Sequence, residues 1–132
     1  MEKMVTMDFT ILKEQFENKK VFVTGHTGFK GSWLLLILKE LGAKVVGYAL
    51  APENEADLFN QIDGAQYCEK SIIANILDAE QLKKEISAFQ PDYIFHLAAQ
   101  ALVRKSYENP IETYMVNTIG TANVLEAMRL LP

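Results

Sequence analysis

The sequence predicts an α/β protein with a doubly wound parallel sheet, in which helices cover both faces of the sheet. Short runs of β-branched and aromatic residues alternate with longer helical patterns along the chain. A glycine-rich turn follows the first of these runs and opens the first long helical pattern. This alternation is typical of the doubly wound fold, so we expect the sheet order 3-2-1-4.

Four strands are expected, each recognised by its apolar run and the turn residues around it. Residues 21–24 form the first and residues 44–50 the second. Weaker patterns predict a short helix near Leu58 and a third strand near Ile72. Residues 92–99 form the fourth strand, whose nearly continuous apolar character is typical of a strand covered on both faces.

The first long helix is predicted over residues 29–41, which are apolar on most faces. Trp33, Ile37 and Leu41 are four residues apart, and Gly42 is well placed to end the helix. We therefore expect this helix to be heavily buried, with residues 33–38 in the core.

Two later helices are indicated by their capping residues. Asp78 and Gln81 have the spacing of a capping box, and Pro91 closes the helix that follows. The last helix is expected to begin at the N-cap Asn109, with Pro110 in its first turn.

Composition excludes several classes of protein. The 132 residues carry a formal charge of −4, with an isoelectric point near 5.2, so no basic surface for nucleic acid is expected. Residues 1–10 lack the apolar core of a signal peptide, and residues 33–38 are too few to span a bilayer, so we predict a cytoplasmic protein without a membrane segment. Cys68 has no companion for a disulfide or a metal site, and no metal is expected.

The segment with the clearest chemistry is the glycine-rich turn at residues 24–31. In such a turn, between a strand and a helix, Gly25 permits the sharp bend and Gly28 lets the backbone approach a diphosphate. Gly31 allows the helix to pack closely on the sheet. Free amides and the positive end of the helix dipole then attract the phosphates. The turn therefore predicts a dinucleotide site, the alternative being an ordinary glycine-rich turn.

A phosphate-loop NTPase is excluded by residue order in the same turn. That loop requires Gly-Lys-Ser, whereas Lys30 precedes Gly31 and Ser32 here. The lysine is therefore misplaced for β- and γ-phosphates.

An acidic residue that commonly binds the adenosine ribose at the end of the second strand is missing. Residues 45–50 contain no acid, and Glu53, Glu55 and Asp57 lie past Pro52, where we interpret them as solvated loop charges. No arginine follows the second strand either, so these residues alone do not decide between NAD and NADP.

Four other side chains invite a catalytic interpretation that their surroundings do not favour. His96 lies within an apolar strand, so we expect it to be packed and hydrogen-bonded, and we interpret His26 as a loop residue. Tyr107 and Tyr114 are expected to pack as aromatic residues, since no lysine follows any tyrosine by four positions.

A longer set of residues carries a family resemblance. Residues 21–34, which include Gly-His-Thr-Gly-Phe-Lys-Gly-Ser-Trp, and residues 47–50 closely resemble the start of CDP-glucose 4,6-dehydratases. Residues 95–104 and 117–121 extend the match. These enzymes belong to the extended short-chain dehydrogenase/reductases, so the resemblance implies an NAD-binding Rossmann fold over residues 1–132.

The resemblance also implies a reaction and its site residues. NAD would remove hydride from sugar C4, water would leave across C5 and C6, and the hydride would return to C6. The residues implied to hold the cofactor are Gly25, Gly28, Phe29, Lys30 and Gly31 at the pyrophosphate, Asn75 and Ile76 at the adenine, and Leu97, Ala98 and Ala99 towards the nicotinamide. Gln100 and Arg104 would face the sugar nucleotide. Asn75 departs from the aspartate that is common in the family.

Several expectations and alternatives follow from the resemblance. The catalytic Tyr-x-x-x-Lys pair and the elimination acid and base would lie beyond Pro132, so we expect a protein truncated after about four strands, with no catalytic residue in this chain. The full-length protein is expected to be a homodimer through the helix matching residues 109–130. A nucleotide-sugar epimerase or reductase of the same fold, a non-catalytic NAD-binding module, and a remnant that binds nothing remain as alternatives.

This chain alone is expected to be inactive, because the groups that would move protons in the reaction are absent from it. Incubation with CDP-glucose and NAD should yield no 4-keto product, measured by chromatography of the sugar nucleotides. Accumulation of that product would contradict the expectation.

Overall fold

A parallel sheet of four strands, in the order β3-β2-β1-β4, forms the centre of the molecule. The computed structural model describes residues 9–132, so most of the segment 1–10 lies outside the described residues. The strands are β1 (Lys20–Thr24), β2 (Lys44–Ala49), β3 (Lys70–Ile73) and β4 (Tyr93–His96). The predicted fold class and strand order are therefore confirmed.

The predicted extent of the fourth strand is wrong, since β4 ends at His96 rather than at residue 99. The amide of Leu97 still donates to the backbone carbonyl of Thr24, at 3.1 Å, and it also donates to the Thr24 side-chain hydroxyl at 3.1 Å. The next amide, of Ala98, donates to that hydroxyl at 3.2 Å. The chain leaves the sheet at this point, and β4 is only partly buried along its length.

Helices connect the strands and follow the last of them. They are α1 (Phe9–Phe16), α2 (Phe29–Glu40), α3 (Leu58–Gln61), α4 (Ala79–Phe89), α5 (Val103–Glu108), α6 (Pro110–Tyr114) and α7 (Thr121–Arg129). A 3-10 turn (Gly64–Tyr67) precedes β3, and a π-helical turn (Met115–Gly120) joins α6 to α7. The sequence did not predict α1, α5 or the π-helical turn. No helix in the described part of the chain is long and apolar enough to cross a membrane.

The predicted caps are confirmed. The carboxylate of Asp78 accepts the amide of Gln81 at 3.0 Å and starts α4. The side chain of Asn109 accepts the amide of Glu112 at 3.2 Å and starts α6. Because such bonds satisfy amides that have no partner within the helix, each fixes where its helix begins.

The core has two parts, one on each face of the sheet, because successive side chains of a strand point to opposite faces. On one face, β1 and β2 pack against α2, with Val21, Val23, Leu35, Leu38, Val45 and Phe59 buried. On the other face, they pack against α4 and α7, with Phe22, Val46, Tyr48, Ile72, Ile76, Leu82, Ile86, Val124 and Ala127 buried. Both faces of the central strands are therefore covered, as a doubly wound sheet requires.

Two predictions about burial are wrong. Trp33 and Ile37 are about half exposed, because α2 buries only the side that carries Leu35 and Leu38. Tyr107 is 84% exposed and Tyr114 is 72% exposed. These tyrosines lie on α5 and α6, on sides that contact no core in the described residues.

A pair of leucine substitutions tests the position of the core. Leu82→Ala should lower the free energy of unfolding by about 2–5 kcal/mol, because Leu82 in α4 is fully buried. Leu125→Ala in α7 is the matched control and should change it by less than about 0.5 kcal/mol, because Leu125 is 60% exposed. Urea unfolding measures both, and equal effects would contradict the assignment of the core.

Candidate functional site

A cavity of about 720 Å³ opens at the carboxyl ends of the four strands. It includes the point between β1 and β4 where the strand order reverses, which is where doubly wound sheets bind their ligands. Its lining comes from segments that follow each strand, among them Gly25, Gly28, Phe29, Leu50, Asn75, Ile76, Leu97, Ala98 and Ala99. The structure therefore brings eight of the predicted site residues to one cavity.

The turn after β1 requires glycine at its first position. Gly25 has φ of +74°, a region that L-residues other than glycine seldom adopt. A Cβ there would lie 2.7 Å from the amide nitrogen of Ala98 and 2.8 Å from the carbonyl carbon of Leu97. The amide of Gly25 also donates to the carbonyl of Tyr48 at 2.9 Å. The turn therefore contacts the ends of β2 and β4 directly.

The start of α2 forms the next part of the cavity wall. Gly28 is the N-cap, and no side chain of the described residues caps the helix there. The first amides of a helix have no intrahelical acceptor, and they carry the positive end of its dipole. Lys30 and Gly31 do not line the cavity, and a Cβ on Gly31 would lie only 2.1 Å from the carbonyl oxygen of Gly25. Their predicted contact with a pyrophosphate stays a prediction.

The segment after β3 is held rigidly beside the turn. The hydroxyl of Tyr48 donates to the carbonyl of Asn75 at 3.1 Å, and Asn123 donates to the carbonyl of Ile76 at 3.1 Å. The side-chain oxygen of Asn75 accepts the amide of Leu77 at 2.9 Å. The remaining polar group of Asn75 is its amide nitrogen, which can only donate.

A directed hydrogen-bond chain orders the end of β4. Thr24 Oγ1 accepts the amides of Leu97 and Ala98, so its own proton goes to His96 Nδ1, at 2.6 Å. The other ring nitrogen, Nε2, must then carry the proton that it donates to Thr121 Oγ1 at 2.9 Å. Burial lowers the pKa of His96, which agrees with a neutral ring. The prediction that His96 is packed and hydrogen-bonded is confirmed.

The two predicted substrate residues lie outside the cavity lining. Gln100 is held by Asn117, which accepts the backbone amide of Gln100 at 2.8 Å and donates to its carbonyl at 3.0 Å. The side chain of Gln100 donates to Thr113 at 3.0 Å. Arg104 pairs with Glu108 at 2.9 Å on the surface. Contact of either residue with a sugar nucleotide stays a prediction.

Among residues 9–132, the charged residues that line the cavity are all acidic: Glu53, Asp57 and Glu112. Asp57 accepts the amides of Glu53 and Asn54, at 2.9 and 3.1 Å, and so shapes the loop after β2. Glu53 is solvated, as expected, and its carboxylate lies 3.6 Å from the ammonium group of Lys105. Glu53 and Asp57 lie in the loop beyond the end of β2, where the ribose-binding acid is missing from the strand itself, whereas Glu112 lies in α6.

His26 is in the turn, as predicted, but it is fully buried beneath it. Its Nε2 lies 2.7 Å from the hydroxyl of Ser71 in β3, whereas Nδ1 has no hydrogen-bond partner among residues 9–132. Burial lowers the pKa of His26 to about 4, and the nearby backbone carbonyl of Tyr48 opposes the shift only in part. The sequence offered one signal for the burial of His26. Gly47 lies within β2, and a glycine inside a strand often marks the close approach of another group to the sheet.

The match to known proteins extends over nearly the whole chain. Residues 22–132 match the GDP-mannose 4,6 dehydratase family. The chain belongs to this family. It is 50% identical over 117 residues to the CDP-glucose 4,6-dehydratase of Salmonella typhimurium, a match that covers 89% of this chain and 32% of that protein. The resemblance found in the sequence is thus confirmed. A UDP-glucose 4-epimerase of Mycolicibacterium smegmatis is 36% identical over 111 residues, or 84% of this chain and 35% of that protein.

Solved structures support the same fold. An epimerase from Methanothermobacter thermautotrophicus superposes with a TM-score of 0.77 at 29% identity, covering 97% of this chain and 37% of that one. The UDP-glucose 4-epimerase from Brucella ovis, in complex with NAD, has a TM-score of 0.72 at 28% identity, covering 85% and 32%. The chain spans about a third of the length of the curated relatives that it matches.

The buried His26 should make stability depend on pH. The unperturbed pKa of histidine is 6.5, and burial lowers it to about 4 in the folded chain. Between pH 4 and pH 6.5, His26 is therefore protonated in the unfolded chain and neutral in the folded chain. The free energy of unfolding should therefore fall as the pH drops below 6.5, by up to about 3 kcal/mol near pH 4.

Urea unfolding at pH 7 and pH 5 measures this effect, and His26→Gln separates it from the smaller contribution of His96, whose pKa is also lowered. The difference between the two pH values should be smaller in the variant. The same difference in both proteins would contradict the assignment to His26.

Proposed function

We propose that this chain binds NAD in the cavity at the carboxyl ends of the strands. The diphosphate would lie against Gly25 and Gly28, the adenine beside residues 75–76, and the nicotinamide towards residues 97–99. The observation that carries this proposal is that one cavity is lined by all three segments. The NAD complexes of the Brucella ovis and Thermus thermophilus UDP-glucose 4-epimerases, at 28% and 29% identity, support it.

The cavity favours NAD over NADP. A 2′-phosphate carries negative charge and is usually bound by arginine. Here the loop after β2 supplies the carboxylates of Glu53 and Asp57, which would repel it, and Lys105, 3.6 Å from Glu53, offsets only part of their charge. The same carboxylates can accept hydrogen bonds from the hydroxyl groups of the adenosine ribose of NAD.

We infer that the full-length protein carries out NAD-dependent dehydration of CDP-glucose to CDP-4-keto-6-deoxyglucose, with this chain as its cofactor-binding part. Identity of 50% to a CDP-glucose 4,6-dehydratase, against 36% to a UDP-glucose 4-epimerase, favours dehydration over epimerisation. The bound nicotinamide would supply the hydride acceptor and donor. Homodimer formation and a cytoplasmic location, both expected from the sequence, stay predictions.

The part of this chain in the reaction is to hold the backbone beside the nicotinamide. Thr24 binds the amides of Leu97 and Ala98, and His96 orients the hydroxyl of Thr24. Because His96 is in turn bonded to Thr121, the end of β4 is fixed before a ligand arrives. A preformed wall of this kind lowers the entropic cost of ordering the site on binding.

Calorimetric titration of the chain with NAD and NADP tests the proposal, and NADP should bind at least about tenfold more weakly through charge repulsion. Gly28→Val should keep the fold, because φ of −73° suits valine and the one neighbour a Cβ would meet, Gly25 oxygen at 3.3 Å, needs to shift by only a few tenths of an ångström. The added methyl groups would occupy the space of the diphosphate, so NAD affinity should fall more than about tenfold.

Ala88→Val, at an exposed position on α4 outside the cavity, is the control and should bind NAD as the unchanged chain does. Absence of NAD binding by the unchanged chain would refute the proposed function. Unchanged binding by Gly28→Val would place the diphosphate elsewhere.

A further inference from the structure

We propose that His26 is a positioning residue that holds the phosphate-binding turn in register with β3, and so sets the spacing between the diphosphate and adenine parts of the site. His26 does not line the cavity, so it would act only through the backbone it carries. The inference rests on the proposed NAD site. It concerns two residues, His26 and Ser71, that lie behind that site.

The imidazole of His26 occupies a slot on the sheet that only glycine could leave open. A Cβ on Gly47 would lie 2.3 Å from His26 Cδ2 and 2.4 Å from Cγ. The ring packs perpendicular to the ring of Phe59, with centroids 5.3 Å apart and planes at 88°. Packing against Gly47 and Phe59, together with the hydrogen bond to Ser71, therefore restricts the ring.

The backbone of His26 also packs closely, against the start of α2. A Cβ on Gly31 would lie 2.7 Å from His26 Cα, so α2 packs directly on this residue. Gly25 on one side of His26 and Gly28 on the other line the cavity. A shift of the ring would therefore move the atoms proposed to contact the diphosphate.

The partner of His26 belongs to the element that carries the adenine side. Ser71 lies in β3, which ends at Ile73, and Ala74, Asn75 and Ile76 then line the cavity. The bond of 2.7 Å between Ser71 Oγ and His26 Nε2 is therefore a direct link between the two parts of the site. ADP would span both parts, whereas adenosine would contact only one.

Ser71→Ala and Ser71→Thr provide the matched test, with ADP and adenosine titrated against each protein by NMR chemical shifts. Ser71→Ala leaves His26 without its partner and should weaken ADP about tenfold, while adenosine should change less than about twofold. Ser71→Thr keeps the hydroxyl and should bind both ligands as the unchanged chain does. In a His26→Ala background, Ser71→Ala should have no further effect on ADP, since its action passes through His26.

The outcomes separate this inference from the proposed function. If the unchanged chain does not bind ADP, the proposed function fails. If it binds ADP and Ser71→Ala binds equally well, or loses ADP and adenosine to the same extent, the positioning role fails. Should urea unfolding show that Ser71→Ala is not folded, His26→Gln replaces it, and a selective loss of ADP supports the role while an equal loss of both ligands overturns it.

Discussion

The close approach of the Gly25 backbone to the end of β4 is the constraint on which the site depends. A side chain at this position would come within 2.8 Å of the backbone of Leu97 and Ala98, so the two segments meet only because glycine is there. The contact places the start of α2 beside the end of β4. The hydroxyl of Thr24 accepts the amides of Leu97 and Ala98. A side chain therefore joins β1 to β4 in addition to the backbone hydrogen bonds of the sheet. A cavity for an extended ligand results from this junction.

Two histidines, the fully buried His26 and the partly buried His96, hold the cavity wall through different hydrogen bonds. His96 has both ring nitrogens bonded, to Thr24 and Thr121, and it ties β4 to the last helix. His26 has one nitrogen bonded, to Ser71, and it ties the turn to β3. Burial lowers the pKa of both rings, which favours the neutral form of each.

Local patterns in the sequence predicted most of the fold, because strands and caps are read from neighbouring residues. The strand order and the starts of α4 and α6 were predicted correctly. The burial of Trp33 and Ile37 was predicted wrongly, because their four-residue spacing shows that they share a side of the helix but not which side meets the core. The partners of His26 were missed for a related reason: Ser71 is 45 residues away in the sequence.

The sequence by itself determined the fold class, the family and the glycine turn, because each of these depends on short runs of neighbouring residues. Only the tertiary structure decided which segments share the cavity, and that Lys30, Gln100 and Arg104 lie outside its lining. It also decided that His26, predicted to be a loop residue, is buried beneath the turn. These outcomes depend on contacts between distant strands, and such contacts exist only after helices have packed on both faces of the sheet.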